Sequence, residues 1–136
     1  MSKSIDILYS SPFPSTRTGA LFNAFSYPTK ISPEAEAIFI ACHSNIGDTI
    51  FDPFGGSGTT GIATMLTDSP TESMLKKVKE LGLEPIWGPR KAVVYELSPV
   101  GCLLGRAMCS TKSVIFKKYT ETLLKFQTKM ALTNVT

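Results

Sequence analysis

The chain's hydrophobic and polar positions follow two rhythms, one helical and one extended. Ala35, Ile38, Phe39 and Cys42 fall at i, i+3, i+4 and i+7, which predicts one apolar helical face. Ser32-Pro33-Glu34 sits just ahead of it as a helix start: a hydroxyl cap, a first-turn proline, and an acid favoured by the positive dipole end. Gly47-Asp48 ends this unit, and the β-branched and aromatic run Thr49-Ile50-Phe51 predicts a short buried strand. A second helix is expected from about Gly58 to Thr60, with Ile62, Met65 and Leu66 on its buried side. Ser69-Pro70-Thr71-Glu72 has the S-x-x-E form of a capping box, so a further helix is expected over 70–81 with Gly82 as its stop.

The segment GLEPIWGPR reads as a loop, and Lys91 to Glu96 as a second strand. Ser98-Pro99 opens a helix running to about Cys109, and a last helix over about 113–131 places Phe116, Tyr119, Leu123, Phe126 and Met130 at spacings of three and four. Residues 1–31 read as an irregular arm. It is punctuated by Pro12, Pro14, Gly19 and Pro28, and Tyr9, Phe13, Phe22, Phe25 and Tyr27 suit it to packing onto something. Residues 32–136 form the domain proper. Strands alternating with helices imply an α/β fold with parallel pairing, although two strands are few for such a sheet.

At 136 residues, 43% hydrophobic and 18% charged, the chain has the length and composition of one globular domain. Its longest stretch without Asp, Glu, Lys or Arg, Pro53 to Thr67, is too short and too rich in Gly and Thr to cross a bilayer. The N-terminal MSKSIDILYSSPFPSTR has no apolar core followed by small residues. No membrane partner and a cytoplasmic location are therefore expected. Cys42, Cys102 and Cys109 are odd in number and form no C-x-x-C pair, so reduced, buried thiols are expected and no structural metal. His43, the only histidine, reads as a satisfied polar residue near a helix end. The net charge of +3 permits an anionic partner without requiring one.

The chemistry concentrates after the first strand, in Asp52-Pro53-Phe54-Gly55-Gly56-Ser57-Gly58-Thr59-Thr60. A strand that feeds a glycine-rich turn and then a helix lets a ligand approach bare backbone, and the helix's free N–H groups favour negative charge. No lysine lies between Gly55 and Asp68, which excludes a phosphate-binding P-loop. Gly56-Ser57-Gly58-Thr59-Thr60-Gly61 does satisfy G-x-G-x-x-G, the dinucleotide pattern. Against a dinucleotide, a ribose-holding acid should follow about 20 residues later, whereas Glu96 lies nearly twice as far on. Asp52 at the mouth of the turn would also repel a pyrophosphate. S-adenosyl-L-methionine carries an ammonium, a carboxylate and a sulfonium but no phosphate. Asp52 could attract its cationic end, amides of Ser57 to Thr60 its carboxylate, and Glu96 both ribose hydroxyls.

The Asp52 to Thr60 run resembles the DPFxGSGTT cofactor motif of the DNA amino-methyltransferases, which methylate adenine N6 or cytosine N4. Glu96 in VVYELSP is similar to that family's acid after the second strand, and Tyr27 to Ile40 (YPTKISPEAEAIFI) to the element before its glycine loop. The resemblance covers about residues 25 to 105. It implies a Rossmann-like fold with a seven-stranded sheet, S-adenosyl-L-methionine as cofactor and DNA as partner. It further implies a cofactor site of Thr29, Lys30, Asp52, Pro53, Phe54, Gly55, Gly56, Ser57, Gly58, Thr59, Thr60, Glu96, Leu97 and Ser98. The family's catalytic [DNS]-P-P-[YFW] is missing, since the chain holds no Pro-Pro pair. Ser11-Pro12-Phe13-Pro14 is a near miss that reads as a turn.

A truncated or split enzyme with an incomplete sheet is therefore expected, inactive alone and completed by a second polypeptide or a missing C-terminal half. A non-catalytic assembly module and a nicotinamide-dependent oxidoreductase are the competing readings. Lys118, Lys125 and Lys129 form a stripe on the last helix that could touch DNA phosphates but reads first as a solvated face. Lys76, Lys77 and Lys79, on a helix that looks like an insertion between the two cofactor strands, read the same way.

Overall fold

A computed structural model describes residues 3–10 and 31–110. The elements in chain order are helix α1 (Lys3–Ser10), α2 (Pro33–His43), strand β1 (Thr49–Asp52), helices α3 (Thr59–Leu66) and α4 (Glu72–Leu81), strand β2 (Lys91–Val94) and helix α5 (Pro99–Met108). β1 and β2 pair in parallel, with Thr49 opposite Lys91, Ile50 opposite Ala92, Phe51 opposite Val93 and Asp52 opposite Val94. The arrangement is mixed α/β, and two strands are the whole sheet among the described residues. No described helix is long and apolar enough to cross a membrane. The near-miss Ser11 to Pro14, the arm beyond Ser10, and the helix expected over 113–131 with its lysine stripe lie outside the described residues.

Local chemistry explains most element ends. Pro33 starts α2 after Ser32, whose backbone is extended, although the Ser32 side chain makes no capping bond. Ser98 caps α5 by accepting the Gly101 N–H at 3.3 Å. Gly82 ends α4 in the left-handed region at φ 63°, as its position in the sequence predicts. The start of α4 differs from expectation. Its cap is Thr71 rather than Ser69, the Thr71 hydroxyl accepting the Met74 N–H at 3.3 Å. That hydroxyl also donates to Glu34 Oε1 at 2.9 Å, and Ser73 Oγ reaches the same carboxylate at 3.0 Å. One carboxylate of α2 thus pins the first turn of α4, which selects the threonine.

The core lies between α2, α3, α4 and the loop after it, where Ile38, Ile40, Ala63, Met74, Val78 and Leu83 pack together with Ile50 of β1 beside them. Three expectations about faces are overturned. α2 buries Ala37, Ile38, Ile40 and Ala41 rather than the face of Ala35, Ile38, Phe39 and Cys42. The helix is apolar nearly all round, so periodicity alone cannot choose a side. Its other side is occupied too: Tyr9 of α1 packs edge-on against Phe39, and Phe39 stacks on His43 with ring centroids 4.3 Å apart. On α3 the inward side is Gly61, Ala63 and Thr64, with Ile62 and Leu66 half-buried and Met65 exposed. Small residues let α3 approach α2 on one side and α5 on the other.

The third correction concerns the sheet. β1 is not a buried strand: Thr49 and Phe51 are exposed, and Ile50 and Asp52 are half-buried. Among the described residues, helices cover only the face carrying Ile50, Asp52 and Val94. No described element packs on the opposite face, where Phe51 is 58% exposed and packed edge-on against Tyr95 at 5.5 Å. The arm also departs from expectation where it is described, since residues 3–10 are helical and place Leu8 against the core.

Candidate functional site

The turn after β1 is tied on both sides by carboxylates. Asp52, the last residue of β1, accepts the Phe54 N–H on Oδ1 at 2.9 Å and the Thr60 hydroxyl on Oδ2 at 2.6 Å. The strand end is thereby clamped to the first turn of α3. Glu96 lies two residues past the end of β2, which stops at Val94, and reaches back across the loop. Its Oε2 accepts the Gly56 N–H at 2.6 Å and its Oε1 the Ser98 N–H at 2.8 Å. Both carboxylates therefore shape the loop as well as facing it. Each oxygen keeps a second lone pair for a further donor.

The glycines, expected from the sequence to admit a ligand, also have a structural use. At Gly55, which donates its N–H to Tyr95 O at 2.8 Å, a Cβ would collide with the side chain of Val94. At Gly58, the N-cap of α3 with φ 84°, a Cβ would stand 2.7 Å from Gly105 Cα of α5. A Cβ at Gly101 would stand 2.7 Å from Gly56 O and 2.6 Å from Glu96 Cγ. Bare backbone here seats the loop against β2 and α5. Of the loop amides, those of Gly55, Gly56 and Gly58 are used internally. Those of Ser57 and Thr59, at the positive end of α3, have no partner among the described residues.

A third carboxyl joins the site from outside the expected set. Glu36, in the first turn of α2, stands beside Asp52 and Thr60. Burial pushes its carboxyl up from the ordinary 4.5, the Thr60 hydroxyl opposes that, and the Asp52 charge adds to it. Its Oε2 is sealed from solvent and has no hydrogen-bond partner among the described residues. Helix periodicity marks Glu36 only as a first-turn acid, so nothing in the sequence singles it out.

Of the remaining expected residues, Pro53 and Phe54 are exposed, Phe54 at 86%, while Ser57 is buried and Leu97 is 99% exposed. Thr29 and Lys30 lie outside the described residues. A cleft of about 390 Å³ adjoins the loop between α3, β2 and α5, lined by Gly58, Val94, Glu96, Gly101, Cys102 and Arg106 among others. His43 is satisfied at the end of α2, with Nδ1 2.8 Å from Phe39 O and Nε2 2.9 Å from Tyr9 OH. All three cysteines are free, and burial raises the thiols of Cys42 and Cys109, which keeps them protonated. Among the described residues no group of three His, Cys, Asp or Glu is arranged to hold a metal ion.

A parallel strand pair whose first strand runs through a glycine turn into a helix, with acids at both strand ends, defines the class as an α/β module built around a strand–turn–helix site. Residues 6–69, just under half of the chain and inclusive of the whole Asp52 to Thr60 loop, match the family model described as DNA methylase. Over these residues the chain is similar to the DNA methylase family. No curated protein and no solved structure matches the chain.

Proposed function

We propose that the chain is the S-adenosyl-L-methionine-holding portion of a Rossmann-like methyltransferase that acts on the exocyclic amine of adenine or cytosine in DNA. The observation that carries this reading is the acid–glycine–acid frame: Asp52 ties Phe54 and Thr60 at the two ends of a loop inside the matched family segment, and Glu96, from beyond that segment, holds Gly56 between them. The residues fit that cofactor and fit a polyphosphate poorly. Carboxyls crowd the loop, one of them with a buried oxygen that has no partner among the described residues, and no lysine lies between Gly55 and Asp68. The bound cofactor supplies a methyl group on positively charged sulfur.

The chain's own residues would hold and orient that donor. Glu96 accepts from the ribose hydroxyls with the lone pairs that Gly56 and Ser98 leave free. The exposed Leu97 beside it offers an apolar surface to a flat base. The free amides of Ser57 and Thr59 receive the donor's carboxylate, and Asp52 faces its cationic end. Such positioning lowers the barrier to in-line transfer by fixing distance and angle. None of these residues draws electron density from, or pushes it toward, a target amine. The Asp/Asn/Ser-Pro-Pro-aromatic element that would do so in this family has no counterpart in the sequence, and methyl transfer to DNA would await a second polypeptide or further chain that supplies it.

The second reading, a docking module, draws on a separate observation: the bare sheet face with Phe51, Val93 and Tyr95 exposed. Among the described residues the sheet has two strands and both edges are open, an arrangement that invites additional strands. The two readings are compatible if the docking partner completes the enzyme. Calorimetry separates the donor reading from the nicotinamide one. Binding of adenosylhomocysteine without binding of NAD supports the proposal, and binding of NAD instead overturns it.

A further inference from the structure

Helices α3 and α5 touch through residues without bulk: Gly58 lies against Gly105, and Cys109 Sγ takes the space that a Cβ on Gly61 would need. Beside those contacts runs the cleft of about 390 Å³, walled by Gly61 and Met65 of α3, Ala92 and Val94 of β2, and Cys102 and Gly105 of α5. Ala92 shares the helix-covered face of the sheet with Val94 yet is exposed, and Met65 is 38% exposed. The layer over β2 is thus incomplete among the described residues. Most polar groups in the walls are already engaged. The Arg90 guanidinium donates to Ser44 O, Ser44 Oγ and Gly88 O, and the Thr64 hydroxyl donates to Thr60 O at 2.8 Å. The thiols of Cys102 and Cys109 donate to Glu96 O and Gly58 O. Arg106, which also lines the cleft, is exposed to solvent. The surface left uncovered is mainly apolar, and such a surface is stabilised by an apolar occupant.

The cleft opens where the chain itself continues. Cys109 is part of its wall, and residues 113–131 follow, carrying Phe116, Tyr119, Leu123, Phe126 and Met130. Phe116 comes seven residues after Cys109, a tether that spans up to about 23 Å. The cleft extends from Arg90, just before β2, to Glu96, just after it, roughly 20 Å of strand. Phe116 is therefore within reach of all of it. A cavity of about 150 Å³ accepts one benzene-sized ring, so about 390 Å³ has room for two. We propose that Phe116 and Tyr119, with the apolar residues that follow them, fill the cleft of their own chain and complete the layer over β2. A segment tethered this closely acts at an effective concentration of about millimolar, which favours it over a second copy. The proposal is independent of the cofactor reading: it concerns what closes the module behind the glycine loop, whatever the loop holds.

Two measurements on the full chain test this. The first is alkylation by N-ethylmaleimide, followed at each cysteine by peptide mass spectrometry. Cys102 and Cys109 line the cleft, whereas Cys42 of α2 packs against the core and serves as the internal reference. Phe116→Asp is expected to raise alkylation of Cys102 and Cys109 about tenfold or more, the factor that one buried ring contributes, and to leave Cys42 as in wild type. Lys118→Asp, a charge change away from the aromatic positions, is expected to leave all three rates unchanged. Unaltered rates at Cys102 and Cys109 in Phe116→Asp would overturn the proposal, as would an equal rise at all three cysteines. The second measurement keeps the ring: Phe116→p-benzoylphenylalanine is irradiated and its cross-links are mapped. They are expected within one chain on α3 or α5, with Met65 foremost. Cross-links to Phe51 or Tyr95 would put the ring on the opposite face of the sheet, and cross-links between chains that fade on dilution would make the occupant a second copy. Either result overturns the proposal.

Discussion

The contact between Gly58 and Gly105 holds the glycine loop against α5, and replacing Gly58 by alanine separates two costs that the structure assigns to it. The first is conformational: at φ 84° an L-residue bears about 1–2 kcal/mol that glycine avoids. The second is steric. The new Cβ would stand 2.7 Å from Gly105 Cα, against roughly 3.5–4.0 Å for an ordinary carbon contact, and the obstacle is helix backbone rather than a side chain that can rotate away. Relieving an overlap of that kind costs about 1–3 kcal/mol.

The sum, about 2–5 kcal/mol, is a large share of the roughly 5–15 kcal/mol that holds a domain folded. Urea unfolding followed by far-ultraviolet circular dichroism should show it as a drop in midpoint. Gly82→Ala is the control: its φ of 63° carries the conformational cost, but no atom lies within 4 Å of the new Cβ, so it should lose only about 1–2 kcal/mol. Gly105→Ala should be neutral or gain up to about 1 kcal/mol of helix propensity, because its Cβ would meet Gly58 Cα at an ordinary 3.6 Å. Equal losses for Gly58→Ala and Gly82→Ala would refute the claim that the loop is seated directly on α5.

Other outcomes follow from the same geometry. Thr71→Ala removes the α4 cap and the bond to Glu34 together, and should lower the urea midpoint by the equivalent of about 1–2 kcal/mol; Ser69→Ala should do nothing measurable, since Ser69 does not cap. Burial raises the Glu36 carboxyl, so the folded chain binds this proton more tightly than the unfolded chain. Its contribution to stability is greatest near or below the ordinary 4.5 and is lost as pH rises through the raised value. Glu36→Gln should accordingly gain stability relative to wild type between pH 4.5 and pH 7, and a wild-type-minus-variant difference that does not change with pH would contradict the assignment. Phe51→Ser with Tyr95→Ser should reduce self-association measured by light scattering without lowering the unfolding midpoint, because both rings are exposed on the bare sheet face.

Sequence made the element ends legible where a single residue carries the chemistry: Pro33 and Pro99 at first turns, Ser98 as a cap, Gly82 as a left-handed stop, and the glycine turn between β1 and α3. Faces were harder to read, for a physical reason. α2 is apolar on nearly every side, and α3 is squeezed between two neighbours, so in each case tertiary packing decided what periodicity could not. The cap of α4 falls two residues beyond the S-x-x-E serine because a distant carboxylate, Glu34, rewards the hydroxyl of Thr71. At the site the Asp52 to Thr60 run and Glu96 were visible as a motif, and the structure brings their groups within hydrogen-bond distance. Glu36 was not visible: its part comes from being buried beside a residue on another element, and spacing along one chain does not encode that.

The loop held by Asp52 and Glu96 is proposed to receive a zwitterionic nucleoside. Titrating the isotopically labelled full chain with adenosylhomocysteine and following backbone amide resonances tests this residue by residue. The largest shifts are expected at Gly56 to Thr60 and at Glu96 to Ser98, with the amides of α4 from Lys76 to Leu81 unmoved. A folded chain whose spectrum does not change at saturating nucleoside, or whose shifts concentrate on α4 and leave the glycine loop untouched, would contradict it.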